Sequence, residues 1–222
     1  MATNRSAFDL IAASWYGVRH WPLLRKELEE VSARWEGGRL LNVGCAHGPD
    51  FLPFRDGFEL CGVDAARAML VQGLRYSARH KLYVHWIGAD ALALPFSDGT
   101  FDCAISVAAY HHIKLRHDRE AAFRELRRVV RPGGEAFLTV WNYGQPRFWF
   151  RSREQQVPWR LKEGTVYRYY HLFSYQELAA SLTGAGWEII RMLPEKSYRF
   201  PVKHFSRNIC VLARNLHSRS PR

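Results

Sequence analysis

The chain has 222 residues, 47% hydrophobic and 24% charged, which suits one globular α/β domain of residues 1–222 with a full core. No run approaches the roughly 18 uncharged apolar residues of a membrane helix, and Met1 to Leu10 lacks the pattern of a secretory leader, so no membrane association and a cytoplasmic protein are expected. The net charge of +11 exceeds what a neutral small-molecule substrate requires. It points to a polyanionic partner such as nucleic acid, with a solvated basic surface as the plainer alternative.

Helical and strand-like runs alternate along the chain. Pro22 to Trp35 carries Leu24, Leu28, Val31 and Trp35 at helical spacing. Arg39 to Val43 is the first strand-like run, Phe58 to Asp64 the second and Leu82 to Ile87 the third. Ala65 to Arg79 reads as a helix between the second and third. Phe101 to Val107 is the fourth strand, followed by a helix over Asp118 to Val130 that Arg131-Pro132-Gly133-Gly134 should stop. Glu135 to Trp141 is the fifth strand. Asn142 to Leu172 has no clear period and reads as a functional insertion over residues 142–172, for substrate. Ser174 and Glu177 form a capping box that starts a helix running to Leu182. Trp187 to Leu193 and Asn208 to Ala213 close the series as two late strands, and His217 to Arg222 reads as a disordered end.

This alternation predicts a doubly wound, seven-stranded, mostly parallel sheet with helices on both faces and an antiparallel strand at one edge. The cysteines, Cys45, Cys61, Cys103 and Cys210, form no C-x-x-C pair and are expected as reduced thiols without a metal.

The chemistry begins after the first strand, in Asn42-Val43-Gly44-Cys45-Ala46-His47-Gly48. Glycines at such a turn permit positive φ and close approach of a ligand. The second strand ends in Asp64, an acid placed to accept hydrogen bonds from a ribose diol, and Ala89-Asp90-Ala91 follows the third strand. A nicotinamide site is the competing reading, but its fingerprint needs a helix directly behind the loop, and here Pro49 follows Gly48.

The loop with its two downstream acids resembles class I S-adenosylmethionine (SAM)-dependent methyltransferases over about Leu40 to Trp141, with Arg128 to Gly134 adding to the likeness. The resemblance implies SAM as cofactor. It puts Gly44 and Gly48 at the methionine end, Asp64 on the ribose hydroxyls, and Asp90 with Ala91 at the adenine, while Asn42, Cys45, Ala46 and Ser106 complete the cofactor set. Two positions depart from the family. Ala46 stands where glycine is usual, and Asn42 where an acid is common, leaving Asp50 as a substitute charge for the SAM ammonium.

A narrower likeness lies outside the loop. Phe8-Asp9, Arg19-His20-Trp21-Pro22, the run Asp102 to His112, Val140-Trp141 with Gln145, Val157-Pro158-Trp159 and Arg168 to Phe173 occur in order. This set resembles the tRNA methyltransferases that esterify the carboxymethyl group of a modified wobble uridine, a family that often works with a small zinc-binding activator subunit. The resemblance implies a carboxylate nucleophile that needs no general base, with Arg19 or Arg168 as the cation that grips it. His111 and Trp141 stand at the active-site edge, and Trp159, Tyr169, Tyr170 and His171 are candidates to hold the uridine; packing is the alternative for each.

Basic and aromatic residues interleave from Arg147 to Tyr170, and Lys196 to Arg222 holds seven Lys or Arg and no acid, a composition suited to tRNA phosphates. The third strand, expected at a sheet edge and apolar on both faces through Leu82, Tyr83, Val84, Trp86 and Ile87, is the expected seat of the activator. A methyltransferase of a small-molecule acid or quinone, and a non-catalytic RNA-binding protein on the same fold, are the competing functions.

Overall fold

The computed structural model describes residues 4–216. Helix α1 (Asn4–Val18) and α2 (Arg25–Trp35) precede β1 (Gly38–Val43), β2 (Phe58–Asp64), α3 (Arg67–His80), β3 (Val84–Gly88) and β4 (Phe101–Val107). Then come α4 (Arg116–Val129), β5 (Val130–Trp141), β6 (Glu154–Leu161), β7 (Gly164–His171), α5 (Tyr175–Gly184), β8 (Trp187–Pro194) and β9 (Asn208–Asn215). The expected disorder of His217 to Arg222, and the cations Arg219 and Arg222, lie outside the described residues.

Seven strands form one sheet in the order β3-β2-β1-β4-β5-β9-β8. The first five strands pair in parallel, and β9 runs antiparallel to both β5 and β8, so the late hairpin forms one edge. The order reverses between β1 and β4, which opens a crevice beyond the C-terminal ends of these strands.

Neighbouring strand residues face opposite ways, so both faces must find cover. Leu40, Leu60, Cys103, Ile105 and Phe137 pack toward Leu28 and Val31 of α2 and Tyr76 of α3. Leu41, Val63, Ala104 and Leu138 pack toward Phe123 and Leu126 of α4 and Leu178 and Leu182 of α5. Burying one such leucine contributes about 1.5–3 kcal/mol. All four cysteines are free and buried, and burial raises every thiol, which keeps them protonated and inert.

Half of the expected capping box forms: Ser174 Oγ accepts the Glu177 N–H at 3.1 Å, while the Glu177 carboxylate turns to His171 and Arg153. Other boundaries shift. Helix α2 starts at Arg25, with Leu24 as its cap residue. Strand β5 begins at Val130, because the chain turns from helix straight into an extended conformation there; a register shift against β4 absorbs the Arg131 to Gly134 segment.

Two elements differ more from the expectation. The stretch from Asn142 to Leu172 is not irregular throughout: β6 and β7 pair as an antiparallel two-stranded sheet of their own. Residues 4–18, which carry Ile11, Ala12 and Trp15 on one face, form a helix. That face packs with Ala66 and Met69 of the α3 region and with Trp159, Leu161 and Val166 of the hairpin. Helix and hairpin together roof the crevice.

At the opposite edge, β3 pairs only with β2 among the described residues. Its apolar side chains are largely spent inward. Trp86 meets Phe51 edge-on and lies where side chains at Gly48 and Gly73 would collide with it. The apolar surface near this edge comes instead from Tyr83, 93% exposed, with Val71 and Leu74 of α3.

Candidate active site

A cavity of about 700 Å³ lies under this roof, within the usual range for ligand sites. Its floor is the turn after β1. Gly44 has φ +71°, and a Cβ there would sit 2.3 Å from the Cβ of Ala109, so only glycine fits. Ala46 also adopts positive φ, 49°, in the region that L-residues with a side chain disfavour. Its N–H donates to Asp64 Oδ2 at 2.8 Å, while Asp64 Oδ1 accepts the Ala66 N–H at 2.8 Å. Burial, with a smaller push from Asp9, raises the Asp64 carboxyl to about 6. Asp90 and Ala91 line the same wall after β3.

Asp50 sits at the start of the short helical turn behind Gly48. It is 6% exposed, its Oδ1 has no hydrogen-bond partner, and burial raises it to about 6. Arg19 faces it electrostatically without closing an ion pair. The end of α1 is tethered over this turn: neutral His47 Nε2 donates to the Arg19 carbonyl, and Tyr76 Oη donates to the His20 carbonyl at 2.7 Å. Burial holds His47 near 4. The side chains of Tyr16, His47 and Tyr76 pack edge-to-face around the tether.

The far wall is aromatic and cationic. The Arg168 guanidinium lies 5.5 Å from the Trp15 ring, 5.0 Å from Trp159 and 5.4 Å from Tyr170, and Arg19 lies 4.9 Å from Trp15. Arg168 is 5% exposed, and neither arginine meets an acid within ion-pair distance among the described residues. Desolvation lowers the pKa of both, a cost that a bound anion would relieve. The Nε of each lacks a partner.

His111 is buried and stacks on Tyr170 at 4.8 Å. Its Nδ1 accepts the Trp141 N–H at 3.2 Å, which puts the ring proton on Nε2. Desolvation and the neighbouring His112 push His111 well below its ordinary value, so it is neutral and has no free basic nitrogen. His112 is held near 4 by burial.

Of the residues singled out from sequence, the cavity gathers Arg19, Gly44, Cys45, Ala46, Asp64, Asp90, Ala91, His111, Trp141, Trp159, Arg168 and Tyr170. Five are not on its wall. Asn42 is buried behind the turn, on the strand itself. Gly48 packs on Trp86. Ser106 Oγ donates to the Val43 carbonyl at 2.9 Å and so ties β4 to β1. Tyr169 turns outward to the Lys114 carbonyl, and His171 pairs with Glu177 at 2.7 Å. Strand alternation explains the last pair: Arg168 and Tyr170 point in, Tyr169 and His171 away. Trp15 was missed because its helix was missed, although its spacing from Ile11 and Ala12 carried the signal. Among the described residues, no group of three His, Cys, Asp or Glu side chains is placed to hold a metal ion.

The reversed strand order, the glycine turn and the acids closing β2 and following β3 define a class I SAM-dependent methyltransferase. Residues 41–138 match the family model described as a methyltransferase domain. The chain is 32% identical over 194 residues to a protein of Encephalitozoon cuniculi that carries a methyltransferase name, covering 83% of this chain and 85% of that one. It is 32% identical over 136 residues to the tRNA (carboxymethyluridine(34)-5-O)-methyltransferase alkbh8 of Xenopus tropicalis, over 60% of this chain but 20% of that protein's length. In structure it resembles the methyltransferase in a complex with the Trm112 methyltransferase activator of Haloferax volcanii, with a TM-score of 0.72, 18% identity, and 99% and 100% of the two chains covered. The chain therefore belongs to the methyltransferase family, and its cofactor is SAM. The cavity fits that cofactor: the acids Asp64 and Asp90 suit a nucleoside, and the unpartnered Asp50 Oδ1 and Arg19 Nε suit the two charges of an amino acid. No helix is long and apolar enough to cross a membrane among the described residues.

Proposed function

We propose that this chain methylates the carboxymethyl group of a modified wobble uridine in tRNA, forming the methyl ester. The observation that carries this reading is the Arg168 guanidinium, buried on the cavity wall with no acid within ion-pair distance among the described residues. Bound SAM supplies an electrophilic methyl on a cationic sulfonium. With the sulfonium on one side and the unpaired Arg168 on the other, the acceptor position favours an anion.

Asp64 takes the ribose hydroxyls and Asp90 the adenine. Arg19 and Asp50, which flank the Gly44 to Ala46 turn, take the carboxylate and ammonium of the cofactor's amino-acid end. Arg168 then remains for the substrate carboxylate, and Trp159, Trp141 and Tyr170 around it suit the uracil ring. A stacked base contributes about 1–3 kcal/mol.

The acceptor is already ionised at neutral pH, with a reference pKa of about 4. It needs no proton removed, which suits a site whose two histidines are neutral and engaged or desolvated. The chain's contribution is to orient the two reactants and exclude water beneath the α1 and hairpin roof. Positioning of this kind supplies up to about 7–11 kcal/mol. A guanidinium that gripped both carboxylate oxygens would quench the nucleophile, so Arg168 holds one more closely than the other.

The likeness to the Xenopus protein supports the substrate, and the likeness to the Haloferax complex supports a small activator partner. We place that partner at the β3 edge, where Tyr83, Val71 and Leu74 are exposed. Incubation with methyl-labelled SAM separates the readings: label should enter bulk tRNA, with the activator supplied. Label entering only a small-molecule extract would replace this substrate with a metabolite acid.

A further inference from the structure

The cavity wall does not end at the two buried arginines. Through Glu195, Ser197 and Arg207 it continues into a shallow open pocket flanked by Arg147 and Phe205. Glu195 is the acid on this path, and it is already engaged: its oxygens accept the backbone N–H groups of Arg207 at 3.2 Å and Asn208 at 2.6 Å. Arg147 lies over the rings of Trp141, at 5.0 Å, and Phe148, at 4.5 Å. Desolvation and the charge of Arg207 both lower its pKa, so the two guanidiniums feel each other. Neither has an ion-pair partner among the described residues.

Flat rings continue outward from this pair. Phe205 meets Trp149 at 5.4 Å and Phe200 at 6.1 Å, the latter nearly parallel at 23°. Trp149 is 49% and Phe200 56% exposed. Two hydrogen bonds tie the segments that carry Trp149 and Phe205 to the fold. Trp149 Nε1 donates to the Gly144 carbonyl at 3.2 Å, and Asn142 Nδ2 donates to the His204 carbonyl at 2.7 Å. Gly144 lies so close to that carbonyl that a Cβ would sit 1.9 Å from it.

Several other cations are engaged by acids: Lys196 pairs with Glu30, Arg153 with Glu177, and Arg214 with Glu135. Arg147 and Arg207 stay without an ion-pair partner at this outer pocket. Exposed rings beside unpaired cations suit a chain that offers both phosphates and open base faces. A duplex hides its base faces.

We propose that this surface binds the nucleotides flanking the methylated residue in a single-stranded loop. Arg147 and Arg207 hold the backbone phosphate next to the target, and Phe205, Trp149 and Phe200 stack the adjacent unpaired bases. This inference rests on the tRNA reading above.

The test is binding of a labelled anticodon stem-loop to the full chain, followed by anisotropy across a salt series. Replacing Arg147 and Arg207 by alanine should lower the salt slope by about 0.7 for each phosphate no longer neutralised. Replacing Trp149 and Phe205 by alanine should weaken binding about 5- to 150-fold per stacked base and leave that slope unchanged. Should the Trp149 and Phe205 variant lose S-adenosylhomocysteine binding through misfolding, Phe200→Ser at the outer rim carries the same test. Wild-type affinity and slope in the folded variants, or equal losses for a duplex of the same length, overturn the platform. If the wild-type chain still methylates tRNA in that case, the substrate reading stands alone. If the wild type transfers no methyl to tRNA, the substrate reading fails and takes the platform with it.

Discussion

Replacing Asp64 with asparagine probes the cofactor end most cleanly. Each Asp64 oxygen accepts one backbone N–H at 2.8 Å, from Ala46 and from Ala66. A carboxylate offers about four lone-pair sites, so two remain for a ribose diol. In Asp64→Asn one oxygen becomes an amide NH2, which cannot accept from a hydroxyl and faces one of those N–H groups. A hydrogen bond to a charged group contributes about 1.5–3 kcal/mol, and the surviving one loses its charge assistance. The expected loss is about 2–4 kcal/mol, or about 30- to 900-fold in affinity. Titration calorimetry with S-adenosylhomocysteine reads it directly. Because burial raises the Asp64 carboxyl to about 6, wild-type affinity should fall as pH drops below 6, where protonation competes with binding. The variant should lose this part of the pH dependence. A dissociation constant within about threefold of wild type, with the same pH profile, would refute the assignment.

Asp50→Asn should raise the melting temperature of the unliganded protein at neutral pH. The folded state raises this carboxyl from 3.8 to about 6, so Asp50 lowers stability progressively as pH rises through that interval. Removing the charge recovers on the order of 2–3 kcal/mol; the same variant should bind SAM more weakly, and a lower melting temperature at neutral pH speaks against a carboxylate whose burial outweighs the attraction of Arg19. Ala46→Gly should keep or improve S-adenosylhomocysteine affinity, since φ of 49° costs alanine about 1 kcal/mol; a tenfold loss of affinity would show that the methyl group itself serves the site. Arg168→Lys keeps the charge and loses the planar fork, so methyl transfer should drop about tenfold or more in kcat/KM while S-adenosylhomocysteine binding holds. Equal losses in both would move Arg168 to the cofactor.

The sheet was legible because its strands announce themselves twice, as short β-rich apolar runs and through the turn residues between them. Leu40-Leu41 and Cys61 to Val63 are apolar on successive residues because both faces are covered, and no shorter pattern says so. The cofactor turn was legible because its chemistry is local: glycine, a strand end and an acid occur within a few residues. The roof was not. The first helix carries no acid in its first turn and no basic residue in its last, so nothing in its ends marks it. The β6–β7 hairpin alternates exposed and half-buried positions along β6, so it lacks the apolar run that marks a core strand. Which aromatic faces the substrate depended on that unseen strand. A slip of one residue decides whether Tyr169 or Tyr170 points inward. The basic insertion and the basic C-terminal stretch were legible as charge alone, because only the fold shows that Arg153, Lys196 and Arg214 are consumed by Glu177, Glu30 and Glu135.

The chemical nature of the product is the sharpest test of carboxylate methylation. The chain, supplied with the proposed activator and methyl-tritiated SAM, should label tRNA whose wobble uridine bears a free carboxymethyl group. Mild alkali should then release that label as volatile methanol, because a methyl ester saponifies. Label that stays on the nucleoside through alkali would mean methylation of a base or ribose atom, and would contradict Arg168 as the holder of a substrate carboxylate.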